Sequence, residues 1–277
     1  MIQTPLHRGT PRGGPDDKRA PATIIPTMDW GSGFKRVGEA ARRFWNGSGG
    51  KTPWVRRVFA IIFFFFVPAP ILYLLIFRFV PIPFTPEMVV HLITLQETHY
   101  SWAGDSVSPW LNQAVIASED QRFCFHHGFD WEEIDQAIKS HERHPARRLR
   151  GASTISQQTA RTLFLLPLRS WVRKGVEAYL TVLLEFFWPK KRILEAYVNT
   201  VDFGHGNYGA GAAAASYFHE PASAINPAQA ARLAVVLPDP DVWKAVRPGP
   251  YVRRRTGTIV ARMGEVRRDG LDWCVRQ

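Results

Sequence analysis

The chain has 277 residues, of which 45% are hydrophobic and 13% aromatic, and its formal net charge is +11. This composition predicts one folded domain with appendages. Residues 1–57 carry 11 basic and 4 acidic side chains, a charge of +7, which leaves +4 for the remaining 220 residues. A basic tail beside an apolar segment favours a membrane over nucleic acid as partner, and the interleaved aromatic and basic strands of nucleic-acid modules are missing.

Residues 1–57 are rich in Pro, Gly and Arg, and we predict a disordered basic cytoplasmic tail. Two motif look-alikes occur in it. The segment 47–52 resembles a phosphate loop, but Trp45 replaces its first glycine and no strand precedes it. The segment 48–51 fits the S-x-x-K pattern of penicillin-binding enzymes, but the K-T-G partner is missing.

The segment from Val58 to Phe77 holds 20 residues without a charge, which is the length that crosses a bilayer. Arg56 and Arg57 precede it, so the positive-inside rule places the N-terminus in the cytoplasm and the chain after residue 80 outside. We predict an uncleaved transmembrane anchor over residues 58–80. The alternative is a buried core helix, against which Pro68 argues because a soluble helix interior tolerates proline poorly.

Residues 81–277 are predicted to form an all-α or α-dominant domain, because alternating β-branched runs are nearly absent. Asp130 and Ser170 are predicted N-caps. The predicted helices are 110–118, 131–140, 153–166, 171–188, 209–218, 227–237 and 251–268, with a set of turns over 190–200. The apolar stretch Tyr179–Trp188 is either a core helix or a face that dips into the membrane surface.

The two cysteines, Cys124 and Cys274, form no C-x-x-C, which argues against a zinc knuckle or a redox pair. Cys124 is expected to be a small packed residue. A disulfide between the two is the alternative if the domain is extracytoplasmic.

Four polar groups along the chain suggest a site rather than a core. They are Glu119-Asp120 with Arg122 and His126; Ser153-Thr154 with Gln157-Gln158; Arg173-Lys174 with Glu177, preceded by Arg161 and Arg169; and the segment 190–199.

Two carboxylates among fixed cations suit one kind of reaction. A carboxylate such as Glu119 can accept a proton from a sugar hydroxyl, while the cations take the charge that develops on a phosphate leaving group. Taken alone, Glu119 is better explained as a helix cap or a surface acid, and Glu177 as the partner of Arg173 in an ordinary ion pair. The pair His126-His127 lacks a third ligand at metal-binding spacing.

Together, these groups resemble the monofunctional biosynthetic peptidoglycan transglycosylases of glycosyltransferase family 51, over about residues 77–275. Four family motifs are complete and in order: E-D-x-x-F-x-x-H-x-G from Glu119, G-x-S-T-x-x-Q-Q from Gly151, R-K-x-x-E from Arg173, and K-x-x-I-L-E-x-Y-x-N from Lys190. The departures are Arg161 for a lysine, Thr162 for an asparagine, Gly211 for a glutamate and Gln229 for a glutamate.

The resemblance implies a lysozyme-like, two-lobed α fold and processive, inverting polymerisation of lipid II, a polyprenyl-pyrophosphate disaccharide-peptide, into β-1,4 glycan strands. It implies that Glu119 is the general base and that Glu177 is the second acid of the cleft. The implied substrate- and pyrophosphate-binding residues are Asp120, Arg122, Ser153, Thr154, Gln157, Gln158, Arg161, Arg169, Arg173 and Lys174. It also implies a divalent cation, Mg²⁺, and as partners the growing glycan strand, membrane lipid and cell-division or cell-wall synthesis proteins.

Three other functions compete with this interpretation. A bifunctional penicillin-binding protein is disfavoured, because roughly ten residues after Arg268 leave no room for a second domain. A lytic glycosidase would need a general acid for a sugar leaving group, and the cations argue against one. A degenerate homologue kept as a scaffold is favoured by Gly211 and Thr162, but disfavoured by the intact Glu119 and Glu177.

Overall fold

The computed structural model describes residues 53–145, 151–168 and 170–276. Residues 1–52 of the predicted tail, which include both motif look-alikes, and Arg169 lie outside these residues, whereas residues 53–57 of the tail are described and begin a helix. Backbone contacts group Ala60–Gln277 into one compact unit; the other unit, Met1–Phe59, is described only from Pro53 onward.

The apolar segment forms two consecutive helices, α1 (Pro53–Phe66) and α2 (Pro68–Ile76). The span Trp54–Ile76 has 23 residues and is long and apolar enough to cross a membrane. Only 11% of its apolar window is buried inside the protein, which contradicts the alternative of a core helix. The helix starts before the predicted residue 58 because Pro53 fits the first position of a helix.

The rest of the described chain is also helical, as predicted. Its helices are α3 (Pro86–Ile93), α4 (Pro109–Glu119), α5 (Trp131–Arg143), α6 (Ile155–Phe164), α7 (Trp171–Phe187), α8 (Lys190–Thr200), α9 (Gly209–Phe218), α10 (Pro227–Val236) and α11 (Pro250–Arg268). Strands β1 (His99–Tyr100) and β2 (Asn207–Tyr208) pair in parallel, with His99 opposite Asn207.

The segment 190–200, predicted as turns, is a single helix. Pro189 has extended backbone at its N-cap, and Ile193, Leu194 and Tyr197 are fully or almost fully buried. Their spacing of three and four residues puts them on one side of a helix, which stabilises the helix by burial. Helix α8 therefore lies in the core.

The helices pack in two groups. Helices α4, α10 and α11 contact one another, while α6 packs against α7 and α8. Helix α4 also touches α8. Leu111 and Ile116 of α4 and Ile155 of α6 are fully buried in this shared core. The C-terminal end of α4 and the N-terminal end of α6 meet where the two groups join.

Helices α7 and α8 hold the end of the membrane helix. The indole Nε1 of Trp188 donates to Leu74 O at 2.6 Å, and Arg192 Nε donates to Phe77 O at 3.1 Å. Of the predicted alternatives for Tyr179–Trp188, the core helix is confirmed on one side, where Leu184 is fully buried. Phe186 on the opposite side is 79% exposed, and contact of that side with a membrane surface stays a prediction.

A disulfide joins Cys124 to Cys274 across 150 residues of sequence. Cys124 lies in the short 3-10 turn Phe123–Phe125, directly after the first motif's acidic pair. Cys124 is buried, as expected of a small packed residue, but it is not a free thiol, because the structure contains the alternative of a disulfide. The bridge ties the C-terminal end of the chain to the loop of the candidate site.

Candidate functional site

Glu119 is the last residue of α4 and lines a cleft of about 380 Å³. Ser153 lies exposed on the opposite rim, and Gln158 lines the same cleft. Burial raises the pKa of the Glu119 carboxyl, while a hydrogen bond from Gln158 opposes the shift. A carboxyl group with a raised pKa is a better proton acceptor near neutral pH than an ordinary glutamate.

Gln158 fixes the position of this carboxylate. Its amide Nε2 donates to Glu119 Oε2 at 3.0 Å, and its Oε1 accepts from the hydroxyl of Tyr197 at 2.8 Å. Tyr197 is fully buried on α8. These hydrogen bonds link Tyr197 on α8 through Gln158 on α6 to Glu119 on α4. They orient the Gln158 amide so that its NH₂ group faces Glu119.

Asp120 is buried and holds the loop rather than facing the cleft freely. His126 Nε2 lies 3.0 Å from Asp120 Oδ2, and the same oxygen accepts the backbone N–H of Ile155 at 3.0 Å. One carboxylate thus joins the loop of the first motif to the start of α6. This geometry favours a positioning role for Asp120, and His126 serves as its partner.

The polar group of Ser153, Thr154, Gln157 and Gln158 divides into two sets. Thr154 is the N-cap of α6: its Oγ1 accepts the N–H of Gln157, whose side chain accepts the N–H of Thr154 at 3.0 Å. Such a capping box satisfies backbone donors at the helix start. Thr154 and Gln157 are buried by these contacts, whereas Ser153 and Gln158 offer polar groups to the cleft.

Arg122 lies at the mouth of the cleft and is half-exposed. Its Nε is 3.2 Å from Asp130 and its Nη2 is 2.8 Å from Glu132. Asp130 also caps α5, as predicted, by accepting the N–H of Glu133 at 3.0 Å. The guanidinium therefore faces the cleft with its charge largely compensated.

Glu177 is buried on α7, and its carboxylate bonds two cationic side chains. Arg173 Nη1 lies 3.2 Å from one carboxylate oxygen, and Lys174 Nζ bonds the other. The acid and its two partners come from successive turns of one helix, as the spacing predicts. The carboxylate thus anchors the side chains of both cations.

Arg161 and Arg173 line a second cavity, of about 320 Å³, which shares Pro238 with the wall of the first. Thr162, one of the departures from the family pattern, also lies in its wall. Arg169, the other expected pyrophosphate ligand, lies outside the described residues. Glu119 and these cations thus line adjoining spaces.

The fourth motif, from Lys190 to Asn199, has a structural role. Asn199 Oδ1 accepts the backbone N–H groups of Ala103 at 2.8 Å and Gly104 at 3.1 Å, and the Asn199 side chain is fully buried. Lys190 Nζ lies 2.7 Å from Glu185 and 4.4 Å from the ring centre of Phe123. These residues support the site from behind and do not line the cleft.

Sequence reasoning missed several residues of both cavities. Arg255 and Arg262 of α11 line the cleft beside Glu119. Three acids, Glu87, Asp202 and Asp241, line the second cavity, and burial raises the pKa of Asp202 to about 6. The seven-residue spacing of the two arginines was a usable signal, because it places both on one side of a helix.

The described residues contain no group of three or more His, Cys, Asp or Glu side chains arranged to hold a metal ion. The Glu177 carboxylate, which the resemblance links to a cation, is already bonded through both oxygens to Arg173 and Lys174. These side chains do not fit a preformed metal centre, so we derive no catalytic step through a metal.

The fold and the two cavities define a class: a helical protein with one segment long and apolar enough to span a membrane, a desolvated carboxylate and an adjoining cation cluster. Residues 87–264 match the model of the transglycosylase family. The chain is 46% identical over 222 residues to a biosynthetic peptidoglycan transglycosylase of Caulobacter vibrioides, covering 80% of this chain and 96% of that protein.

Two further relatives carry the same name. The protein of Rhodospirillum centenum is 47% identical over 201 residues, or 72% of this chain and 86% of that one. The protein of Citrobacter koseri is 49% identical over 199 residues, or 69% and 82%. The chain therefore belongs to the biosynthetic peptidoglycan transglycosylases, with their lysozyme-like domain, and it is a glycosyltransferase that polymerises glycan strands.

Two departures from the family pattern have local explanations. Gln229 forms a capping box with Asn226 at the start of α10, where its Oε1 accepts the Asn226 N–H at 2.8 Å. At Gly211, an added Cβ would lie 2.5 Å from Ser101 O. This chain has no room for the family's glutamate there unless the backbone moves.

Proposed function

We propose that this enzyme polymerises lipid II, with Glu119 as general base. The observation that carries the proposal is the desolvated carboxylate of Glu119, held by Gln158 in a cleft that adjoins the cations of α6 and α7. The acceptor is the 4-hydroxyl of the sugar on one lipid II, and the donor is the sugar joined to pyrophosphate on the growing strand.

In the proposed step, Glu119 takes the proton of the acceptor hydroxyl as its oxygen attacks the anomeric carbon of the donor. The new carbon–oxygen bond forms on the face opposite the leaving group, which inverts the anomeric centre to β-1,4. The bond from the anomeric carbon to the pyrophosphate oxygen breaks, and polyprenyl pyrophosphate leaves with that electron pair. Arg161, Arg173 and Lys174 stabilise its charge, with Arg169 as a further ligand.

Ser153 and Gln158 bind the sugars at the rim of the cleft, and Arg122 lies at its mouth. Asp120, Thr154 and Gln157 act through the structure that they hold. We also propose Mg²⁺ as a cofactor. Such an ion would need oxygen atoms of the substrate phosphates to complete its coordination. Chelation followed by re-addition of Mg²⁺ tests it, and activity unchanged by chelation would exclude a required ion.

A lytic glycosidase is less compatible with the site. Cleavage of a sugar from a sugar needs a protonated acid beside the leaving oxygen. Both carboxylate oxygens of Glu177 are engaged by cations of its own helix, Arg173 and Lys174. A pyrophosphate leaving group, in contrast, needs no proton donor.

We also propose a single-pass anchor with a cytoplasmic N-terminus and an external catalytic domain. Charge on the N-terminal side of the span supports this orientation, and so does the disulfide, because disulfides persist in oxidising compartments. Trp171 and Val172 at the start of α7 are 93% and 80% exposed, beside the cations. These side chains suit contact with lipid, next to a membrane-borne substrate.

The experiment uses the full chain in detergent with radiolabelled lipid II. We expect long strands, release of one polyprenyl pyrophosphate per linkage formed, and β configuration by NMR of the product. Retained configuration, or hydrolysis of preformed strands without polymerisation, would contradict the proposal. Cell-division or cell-wall synthesis proteins as partners remain a prediction, for crosslinking in cells to test.

A further inference from the structure

A cation outside the four motifs faces the proposed base. Arg255 lies on α11, which packs against α4, and Glu119 is the last residue of α4. Both side chains line the same 380 Å³ cleft. Within the described part of the chain, Arg255 forms no hydrogen bond or ion pair within 4.0 Å, so its charge is not committed to another acid.

The other groups around Glu119 do not supply this charge. Asp120 adds negative charge beside it, and Gln158 and Tyr197 are neutral. Arg122 is engaged by two acids at the mouth of the cleft. The remaining charged groups of the cleft wall are Asp130, Glu133 and Arg262.

Burial and the neighbouring Asp120 favour the neutral form of Glu119, and a neutral carboxyl group cannot act as a base. The positive charge of Arg255 lowers the pKa of Glu119 and so opposes both effects, as do hydrogen bonds from Gln158 and Ser118. An arginine suits this purpose because it does not lose its proton at any physiological pH. A lysine there would keep the charge but lose the planar geometry.

We propose that Arg255 is a positioning residue of the reaction: its guanidinium keeps Glu119 ionised in the desolvated cleft until the acceptor hydroxyl arrives. The inference rests on the proposed role of Glu119 as base. Arg255 acts through Glu119 and need not touch the substrate.

Arg262 provides a matched control. It lies on the same face of the same helix and in the same cleft wall, about 10 Å further along the axis. Replacing either arginine by glutamine removes one charge from the cleft. We expect only the loss of Arg255 to alter the ionisation of Glu119, because Arg255 is the arginine whose charge lowers the pKa of that carboxyl.

The experiment compares pH–rate profiles of kcat for the full chain and its R255Q, R255K and R262Q variants, with lipid II in detergent. We expect R255Q to move the acidic limb upward by about one pH unit, which is about a tenfold loss of rate below the limb. The loss should shrink as the pH rises. R255K should restore the limb, and R262Q should leave it in place.

An unshifted limb in R255Q would overturn the inference, and so would equal shifts in R255Q and R262Q. The position of the acidic limb is read from the shape of the pH–rate profile. Partial unfolding of a variant lowers the rate at every pH but does not move the limb. A Glu119→Gln arm separates the two proposals. If that variant keeps its activity, the proposed base is wrong; if it is inactive and R255Q is unshifted, only the role of Arg255 is wrong.

Discussion

The position of the Glu119 carboxylate is fixed by one side-chain amide, that of Gln158. Substitutions that remove single hydrogen bonds test this dependence. Gln158 donates to Glu119 and accepts from Tyr197, so the tyrosine decides which end of the amide faces the carboxylate. The motif predicted that the paired glutamines matter. It did not predict that Gln158 holds Glu119, because that contact depends on Tyr197 of α8, which lies far along the chain.

For Gln158→Ala we expect kcat to fall roughly 10- to 100-fold at neutral pH. The lost hydrogen bond lowers the pKa of Glu119 in the wild type, so its removal should also move the acidic limb upward. Tyr197→Phe, which keeps the amide, should cost less than Gln158→Ala. Steady-state kinetics with lipid II measure both, and a wild-type kcat in Gln158→Ala would contradict this role.

Gly211 shows why a family pattern should not be restored blindly. An added Cβ would meet the backbone oxygen of Ser101 at 2.5 Å, so we expect Gly211→Ala to destabilise the protein by about 1–3 kcal/mol. Gly257 is the control: it lies in α11 with nothing within 4 Å of an added Cβ. Gly257→Ala should raise stability by up to about 1 kcal/mol.

Thermal denaturation followed by circular dichroism compares the two glycine variants. If Gly211→Ala melts at or above the wild-type temperature, the close contact with Ser101 is not a constraint. Reversion to the family's glutamate would then become a reasonable experiment on activity. Otherwise, the substitution would test packing and not catalysis.

At the scale of elements, local signals predicted helices well. Ser170 caps α7 and Asp130 caps α5 as expected, because capping depends on residues within one turn. Helix α3 and the strand pair His99–Tyr100 with Asn207–Tyr208 were missed. The strands are two residues long and lie more than 100 residues apart, so no local pattern predicts their pairing.

The N-cap of α6 should contribute more to the free energy of unfolding than an ordinary helix cap does. Thr154 caps the helix and also donates to Gly128 O at 2.6 Å while buried. We expect Thr154→Ala to cost roughly 2 kcal/mol, at the upper end for helix caps. Ser170→Ala, at the exposed cap of α7, should cost about 1 kcal/mol or less.

Denaturant titration of both cap variants measures this difference. Equal losses would mean that the bond from Thr154 to Gly128 adds nothing to the cap. A larger loss at Ser170 would reverse the ranking that burial predicts.

At the scale of the whole molecule, the site is made by contacts that no local pattern contains. The family motifs predicted Glu119, Glu177 and the cations, but the second cavity, its three acids and Arg255 come from helices and loops brought together by packing. The disulfide belongs to the same category. Because its two cysteines are 150 residues apart, the sequence did not decide whether they pair. In the folded protein the bridge forms beside the first motif.

Loss of the disulfide should destabilise the domain. By the chain-entropy model, a closed loop of this length contributes roughly 5 kcal/mol, and engineered losses commonly show less. We expect the double variant Cys124→Ser, Cys274→Ser to melt at a lower temperature than the oxidised wild type and at about the temperature of the reduced wild type. A melting temperature that does not respond to dithiothreitol would show that the bridge is absent or without effect.

The most direct test of the account is polymerisation of labelled lipid II by the full chain and by Glu119→Gln, which removes the base but keeps the size of the side chain. The account predicts long strands from the wild type and a loss of at least about 100-fold in the variant, with unchanged folding and lipid II binding. Strands formed by Glu119→Gln at a rate near that of the wild type would contradict it and move the base to another carboxylate.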